Sequence, residues 1–123
     1  MITNLSRGTV IATDVEWAMS PQERMRGLLD RNKLDPGAAL VISPCNSVHM
    51  FFMKFAIDVL FLNSEGVVVR AIEDLRPWRL TRVYFTAKHT VELPLGAIAL
   101  SQTRKGDKLN LGRQESLPVD KGK

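Results

Sequence analysis

Cysteine is nearly absent from this sequence, since Cys45 is the only one among 123 residues. One cysteine cannot form an internal disulfide, so the protein does not require an oxidising compartment. The sequence also lacks an apolar run of the roughly 18 residues that a membrane span needs, and its first residues lack the apolar core of a secretory signal. These absences predict a cytoplasmic protein that makes no membrane contact.

Sequence signatures of catalysis are missing as well. The chain contains no nucleophile elbow, no phosphate-binding loop and no paired Cys or His spacing of the kind that binds zinc. We therefore predict no cofactor and no resident metal. Whether the protein is an enzyme stays open, and a non-catalytic role is favoured.

Positive charge is only mildly in excess, with a net charge of +4 from 17 basic and 13 acidic residues. Much of the excess lies in residues 70–88, where Glu73 and Asp74 are outnumbered by Arg70, Arg76, Arg79, Arg82 and Lys88. A surplus of this size is more typical of a solvated surface than of a nucleic-acid interface. Nucleic acid is therefore not the expected partner.

The composition that remains is that of one ordinary globular domain, 45% hydrophobic and 24% charged. A chain of this length can bury a core without disulfides or metals. Residues 113–123 have little apolar surface to bury and are predicted to form a disordered tail. Residues 1–112 are therefore predicted to form a single β-rich domain.

Ser20, Pro21 and Glu23 predict the start of a helix. Serine is a preferred N-cap, proline suits the first helical position, and a glutamate three residues after the cap completes a capping box. The apolar residues that follow predict a helix over residues 21–30.

Short apolar and β-branched segments between proline and glycine residues predict strands. The segment after Asp58 is entirely apolar and is expected to be an interior strand, and residues 63–66 are expected to form a hairpin loop. The predicted strands are 8–18, 39–42, 48–52, 57–62, 67–72, 90–93 and 108–111, with 97–103 either a helix or a strand. Together they predict a mostly β, α+β fold, in which a single twisted sheet or partly closed barrel of about 6–8 strands packs against the N-terminal helix.

Four motifs span Ser20 to Leu109, in the order SPQERMRGLLDR, FFMKFAIDVLFLNSEGVVV, VELPLG and KGDKL. Together they resemble the DUF192 family of small bacterial and archaeal proteins of unknown function. The run PCNSVH is similar to one branch of that family. The resemblance implies a compact, mostly β fold with the helix packed on it, and it implies no established reaction.

The resemblance also implies a set of recurring polar positions, which fall here on Arg26, Lys54, Asp58, Glu92 and Asp107. This sequence departs from the family pattern at Phe55, where asparagine is common, and at Ala56, where proline is frequent. A polar cluster built on that asparagine would be incomplete here.

Cys45 and His49 could hold a metal or form a catalytic pair. On one extended strand, four residues at about 3.3 Å each would separate them by about 13 Å, too far for one metal ion. A turn through residues 46–47 would bring them together, and a third ligand would come from Asp58, His89 or Glu92. A catalytic pair would need a nearby cation or helix N-terminus to form the thiolate. The favoured alternative is a small buried thiol and a hydrogen-bonded histidine.

Asp58 is expected to be at least half buried, because it opens an apolar strand. A buried carboxylate must be hydrogen-bonded or paired. We predict that Asp58 accepts backbone N–H bonds from the loop at residues 53–56, or pairs with Lys54 or Arg26. The functional alternative is a carboxylate on the floor of a pocket.

Three further polar or aromatic positions carry weaker signals. Glu92 lies between two apolar residues, so strand alternation predicts that it faces away from the core, on a rim or in solvent. Asp107 follows a glycine and is predicted to be a turn residue. Trp78, beside Arg79, either stacks against a ligand or packs on the sheet.

The leading hypothesis is a non-catalytic binding or accessory domain for a small ligand or a protein, with its surface around Cys45–Asp58 and Arg76–Arg82. The candidate ligand-binding residues are His49, Lys54, Asp58, Trp78, Arg79 and Glu92. The alternative is a hydrolase-type enzyme that uses Cys45, His49 and Asp58, with or without a bound metal. A weaker alternative is binding of an anionic polymer such as nucleic acid through the arginine-rich loop.

Overall fold

The structure is a computed structural model that describes residues 1–112. The segment 113–123, for which the sequence predicts a disordered tail, lies outside the described residues. In chain order the elements of the described part are β1 (Ile2–Asn4), β2 (Thr9–Ala12), β3 (Asp14–Ala18), α1 (Pro21–Arg26), β4 (Ala38–Ile42), β5 (Ile57–Leu62), β6 (Val68–Leu75), β7 (His89–Pro94), α2 (Ala97–Ser101) and β8 (Leu109–Asn110).

The strands form two sheets, and the mostly β, α+β class predicted from the sequence is confirmed. The large sheet has the order β3-β4-β7-β5-β6, with β3 and β4 parallel and the other neighbours antiparallel. The small sheet has the order β2-β1-β8 and is antiparallel. Among the described residues, no helix combines the length and the apolar character needed to cross a membrane.

Two sheets form where one was predicted, because the expected strand at residues 8–18 breaks at Thr13. The N–H groups of Thr13 and Asp14 both donate to the carbonyl of Gly37, at 2.8 and 3.0 Å. Two successive N–H groups of a regular strand point to opposite sides, so this shared acceptor marks a bend. The chain leaves the small sheet as β2 and enters the large sheet as β3.

The large sheet is covered on both faces. On the first face, Leu60 and Leu62 of β5 pack against the small sheet and α2. On the second face, Val59 and Phe61 of β5 pack against Leu28 and the segment at residues 50–53. Strand β5 lies between β7 and β6 and all its residues are buried, as the apolar run predicted.

The predicted capping box is present at the start of α1. The Ser20 hydroxyl accepts from the N–H of Glu23, and the Glu23 carboxylate accepts from the N–H of Ser20, both at 3.1 Å. The predicted helix over 21–30 is too long, because α1 ends at Arg26. Gly27, with a φ of 48°, ends the helix, and its N–H donates to the carbonyl of Glu23.

The prediction of a strand at residues 48–52 is wrong. Only His49 forms a bridge, to Leu80, and it lies outside the sheets. Met50 donates its N–H to the carbonyl of Arg79 at 2.7 Å and accepts from the N–H of Trp78 at 2.8 Å. Regular pairing stops there because Phe52 and Trp78 have φ values of 67° and 69°, which are not extended. For residues 97–103, where the sequence allows either a helix or a strand, the structure has the helix α2.

Asp58 is fully buried and accepts hydrogen bonds from three backbone N–H groups. Its Oδ1 accepts from Asp74 at 3.0 Å, and its Oδ2 accepts from Gly96 at 3.1 Å and from Ile98 at 3.0 Å. Backbone acceptance was predicted correctly, but the partners are not in the 53–56 loop, nor does Asp58 pair with Lys54 or Arg26. Strand alternation turns Asp58 toward the first face, where β6 and the start of α2 meet it.

We expect Asp58→Asn to lower the free energy of unfolding by about 2–4 kcal/mol, measured by urea denaturation. The amide offers one acceptor oxygen and one NH₂ group, so at least one of the three N–H donors would face another donor. Asp35→Asn is the matched control, because Asp35 is exposed and pairs only with exposed Lys33; its effect should stay within about 0.5 kcal/mol. Equal stabilities for the two variants would contradict this role of Asp58.

Candidate functional site

A cleft of about 420 Å³ opens on the second face of the large sheet. Helix α1 and Gly27 form one side of it, and the loops at residues 45–53 and 80–83 form the other. Ile42 and Met53 supply apolar wall, and Glu92 rises from the sheet. We call this space the Glu92 cleft.

Glu92 is placed in the cleft by the register of β7. It lies opposite Leu40 of β4 and Val59 of β5, so its side chain shares their face of the sheet. Only 6% of the residue is exposed, and the prediction that it lies on a rim or in solvent is wrong. The reason is that β7 is the middle strand of a sheet that is covered on both faces. A side chain of β7 that points away from the first face is therefore buried on the second face.

Two opposing effects act on the pKa of the Glu92 carboxyl group. Burial raises its pKa to about 7, and the positive charge of Arg31 opposes this rise. Arg31 itself is engaged by Glu16, with 2.5 Å between Nη2 and Oε1. Within residues 1–112, no hydrogen bond is donated to the Glu92 carboxyl group. At neutral pH the group is therefore a mixture of acid and carboxylate without an internal partner.

Arg24 adds an unpartnered donor to the same cleft. Its Nη1 donates to the carbonyl of Pro44 at 3.2 Å, which ties α1 to the loop after β4. Its Nε is buried and, among the described residues, has no hydrogen-bond partner. The Glu92 cleft thus presents the buried Nε donor of Arg24 and the carboxyl group of the largely buried Glu92, and neither has a hydrogen-bond partner among residues 1–112.

Cys45 and His49 both line the Glu92 cleft, but they are engaged separately. The Cys45 thiol donates to the carbonyl of Ser47 at 3.1 Å. The Nδ1 of His49 accepts from the N–H of Phe51 at 3.3 Å, and the two rings stack with centroids 5.1 Å apart. In the part of the chain that the structure describes, no cluster of three His, Cys, Asp or Glu residues is placed to hold a metal ion.

Asp58 does not join Cys45 and His49. It lies opposite Leu93 on the first face of the sheet, whereas the Glu92 cleft opens on the second face. The sheet therefore separates Asp58 from Cys45 and His49. Because side chains alternate along a strand, no small rearrangement would bring these three groups together.

The other candidate residues lie around the cleft or away from it. Lys54 is exposed and does not line it. Trp78 and Arg79 are exposed on the loop beside its mouth, and the Trp78 ring lies 6.0 Å from that of Phe51. Asp107 is a structural residue near a turn, as predicted, since its buried carboxylate accepts from Asn4, Arg7 and Arg104.

Several residues of the cleft carried no sequence signal. Thr81 accepts from the N–H of Val48 at 3.0 Å and donates to the carbonyl of Arg82 at 2.9 Å, so it holds the two loops together. Ser47 and Gly27 also line the cleft. These residues come together only in the fold, because they lie on separate segments of the chain.

We expect Glu92 to make stability depend on pH. Its pKa rises from an ordinary 4.5 to about 7 on folding, so the folded state binds the extra proton between these values. The free energy of unfolding should therefore fall as pH rises through this window, by up to about 3 kcal/mol from this group. Glu92→Gln cannot ionise, so urea unfolding at about pH 4.5 and about pH 8 should show this loss in the wild type only.

Glu65→Gln is the control for that measurement, because Glu65 is exposed in the hairpin loop between β5 and β6. Its pH dependence should follow the wild type. A stability difference between wild type and Glu92→Gln that is the same at both pH values would contradict the raised pKa of Glu92.

The chain is similar to known proteins both in sequence and in fold. The sequence model of the DUF192 family, described as "Uncharacterized ACR", matches residues 2–111. UPF0127 proteins of Pyrococcus abyssi and Pyrococcus furiosus are each 36% identical to it, over 89% of this chain and 95% and 97% of those proteins. A protein of unknown function from Novosphingobium aromaticivorans has a similar fold, with a TM-score of 0.71 at 19% identity, over 78% of this chain and 73% of that one. The resemblance predicted from the sequence motifs is confirmed: the chain belongs to the DUF192 family.

Proposed function

We propose that this protein is a non-catalytic binding domain whose Glu92 cleft takes a small molecule. The ligand has an apolar body and a head group that both donates and accepts hydrogen bonds. One observation carries the proposal: the buried Nε donor of Arg24 and the carboxyl group of the largely buried Glu92 line the same cleft, and neither has a hydrogen-bond partner among the described residues.

Unpartnered buried groups need an explanation, because each costs about 1–3 kcal/mol of stability. Folded proteins therefore keep few of them. A head group that accepts from the Arg24 Nε–H and donates to the Glu92 carboxyl group would remove both costs at once. The volume of about 420 Å³ suits a small molecule rather than a single water or a protein segment.

The charges around the cleft favour a neutral head group. A cationic head would meet the guanidinium groups of Arg24 and Arg26, which both line the cleft. An anionic head would meet Glu92 in its ionised form. An amide-like head avoids both repulsions, and Ile42, Val48 and Met53 offer apolar contact to the body of the ligand.

The geometry of the polar residues supports binding over catalysis. The Cys45 thiol donates to a backbone carbonyl, and within the described residues no base is hydrogen-bonded to it. Activation of a thiol by a general base requires such a hydrogen bond. The proposal includes a cytoplasmic location, which the lack of an internal disulfide supports.

Three probes that share a phenyl ring test the head group. Benzamide has a neutral donor–acceptor head, benzamidine a cationic one and benzoate an anionic one. We expect benzamide to bind with a Kd on the order of 1 mM and to shift the backbone NMR signals of Gly27, Ser47 and Thr81. Benzamidine and benzoate should bind at least about fivefold more weakly, because each leaves one buried group unpaired or repelled.

Variants of the two polar groups locate the binding. Glu92→Leu and Arg24→Met should each weaken benzamide binding at least about fivefold. Glu65→Leu and Arg70→Met are matched controls at exposed positions outside the cleft and should leave it unchanged. Equal binding of all three probes, or signal changes that survive Glu92→Leu, would refute the proposed site.

A further inference from the structure

A continuous group of exposed and half-buried aromatic side chains, together with an exposed leucine, lies beside the mouth of the Glu92 cleft. We call it the aromatic face; it consists of His49, Phe51, Phe52, Trp78 and Leu80. Phe52, Trp78 and Leu80 are 70%, 59% and 65% exposed. The rings touch in sequence, with centroid distances of 5.1 Å for His49–Phe51, 6.0 Å for Phe51–Trp78 and 4.9 Å for Phe52–Trp78. Large apolar side chains are therefore grouped in solvent rather than scattered.

Two of these aromatic residues have a backbone conformation that costs stability. Phe52 and Trp78 have φ values of 67° and 69°. This left-handed region disfavours bulky side chains and is tolerated best by glycine and by asparagine or aspartate. The conformation is held in place by hydrogen bonds around Met50, which accepts from Trp78 at 2.8 Å and from Met53 at 3.2 Å. A smaller polar residue would suit both positions better unless the exposed rings have a use.

Positive charge surrounds the aromatic face. Arg79 and Arg82 are exposed and, within the described residues, form no salt bridge. Arg76 pairs with Asp74 on the same loop, at 3.1 Å. Exposed aromatic rings flanked by unpaired arginines complement a surface that is apolar below and anionic above.

We propose that the aromatic face docks reversibly on an anionic phospholipid surface. Phe52, Trp78 and Leu80 enter the headgroup region, and Arg79 and Arg82 contact lipid phosphates. The sequence prediction of no membrane contact was based on the lack of an apolar span, whereas surface docking uses side chains from two loops. His49, Phe51 and Leu80 of the aromatic face also line the Glu92 cleft, but Phe52, Trp78, Arg79 and Arg82 do not, so changing these four tests docking independently of the cleft ligand.

The ring arrangement favours lipid over single-stranded nucleic acid. Base recognition uses open, flat ring faces on which successive bases stack. Here the planes of Phe52 and Trp78 meet at 60°, edge to face, so each ring obstructs the other. Leu80, which is aliphatic, offers a base no ring face but fits an acyl chain.

The test is sedimentation of the full chain with vesicles. We expect binding to vesicles of mixed phosphatidylglycerol and phosphatidylcholine, little binding to phosphatidylcholine alone, and weakening as salt rises. Phe52→Asn with Trp78→Asn should weaken binding at least about tenfold, since asparagine removes the ring and tolerates the left-handed backbone. Arg79→Ser with Arg82→Ser should weaken it about fivefold for each arginine.

Matched controls distinguish binding through the aromatic face from nonspecific binding through other exposed apolar or basic side chains. Leu100→Asn removes an apolar side chain that is 87% exposed on α2, and Arg104→Ser with Lys105→Ser removes the same charge elsewhere. Both should bind like the wild type. Thermal melting of each variant confirms that it is folded, and the arginine pair tests the proposal even where the asparagine pair fails to fold.

Four outcomes would overturn the proposal. The first is equal binding to both vesicle types, and the second is unchanged binding by both pairs of variants. The third is binding of single-stranded oligothymidylate, but not vesicles, through the same residues. The fourth is self-association, seen by size exclusion, that the asparagine pair abolishes while vesicle binding is absent.

Discussion

One buried carboxylate connects the parts of this fold that the sequence keeps apart. Asp58 begins an interior strand, yet its oxygens accept N–H groups from β6 and from the start of α2. Gly96, the N-cap of α2, has no side chain to cap that helix, so Asp58 supplies the missing acceptor from a neighbouring strand. The helix and the large sheet are therefore joined through a single group. The first face of the sheet is covered in this way, and the second face is left to form a site.

The second face is unusual because a carboxyl group stands where an apolar side chain would be expected. Its neighbours across β4 and β5 are Leu40 and Val59, and the layer above is α1 with Gly27. Gly27 at the helix end lies directly above Glu92: a Cβ added there would lie 3.9 Å from its Oε1, at ordinary van der Waals distance. The fold thus keeps a costly group in a place where a leucine would stabilise more. Arg24 and Glu92 together are the strongest reason to regard this cleft as functional.

Local features were predictable from the sequence, and long-range ones were not. The capping box of α1 needs only residues 20–23, and it was predicted correctly. The burial of Asp58 followed from its apolar neighbours, but its partners lie 16 to 40 positions away and left no local trace. For Glu92, alternation correctly separated the two faces of β7. It could not reveal that both faces are covered, because that depends on α1 and on the loops that cross the sheet.

The same distinction explains the candidate catalytic residues. Cys45, His49 and Asp58 are close in sequence, and a short chain segment suggests a shared site. Strand β5 carries Asp58 to one side of the sheet, and the loop before it carries Cys45 and His49 to the other. The aromatic face was hidden for a different reason. A left-handed backbone conformation is expected at glycine or asparagine, so the sequence gives no sign that Phe52 and Trp78 adopt it.

Helix α1 has a further consequence for access to the cleft. The helix has six residues, none of them fully buried, and it is held by its capping box and by the Arg24–Pro44 hydrogen bond. A segment with so little buried surface opens locally at much lower free energy than the sheet beneath it. One wall of the Glu92 cleft is thus more readily unfolded than the sheet that forms its floor. Amide hydrogen exchange in α1 will be fast in the free protein, and an occupant that contacts Arg24 slows it by holding that wall closed.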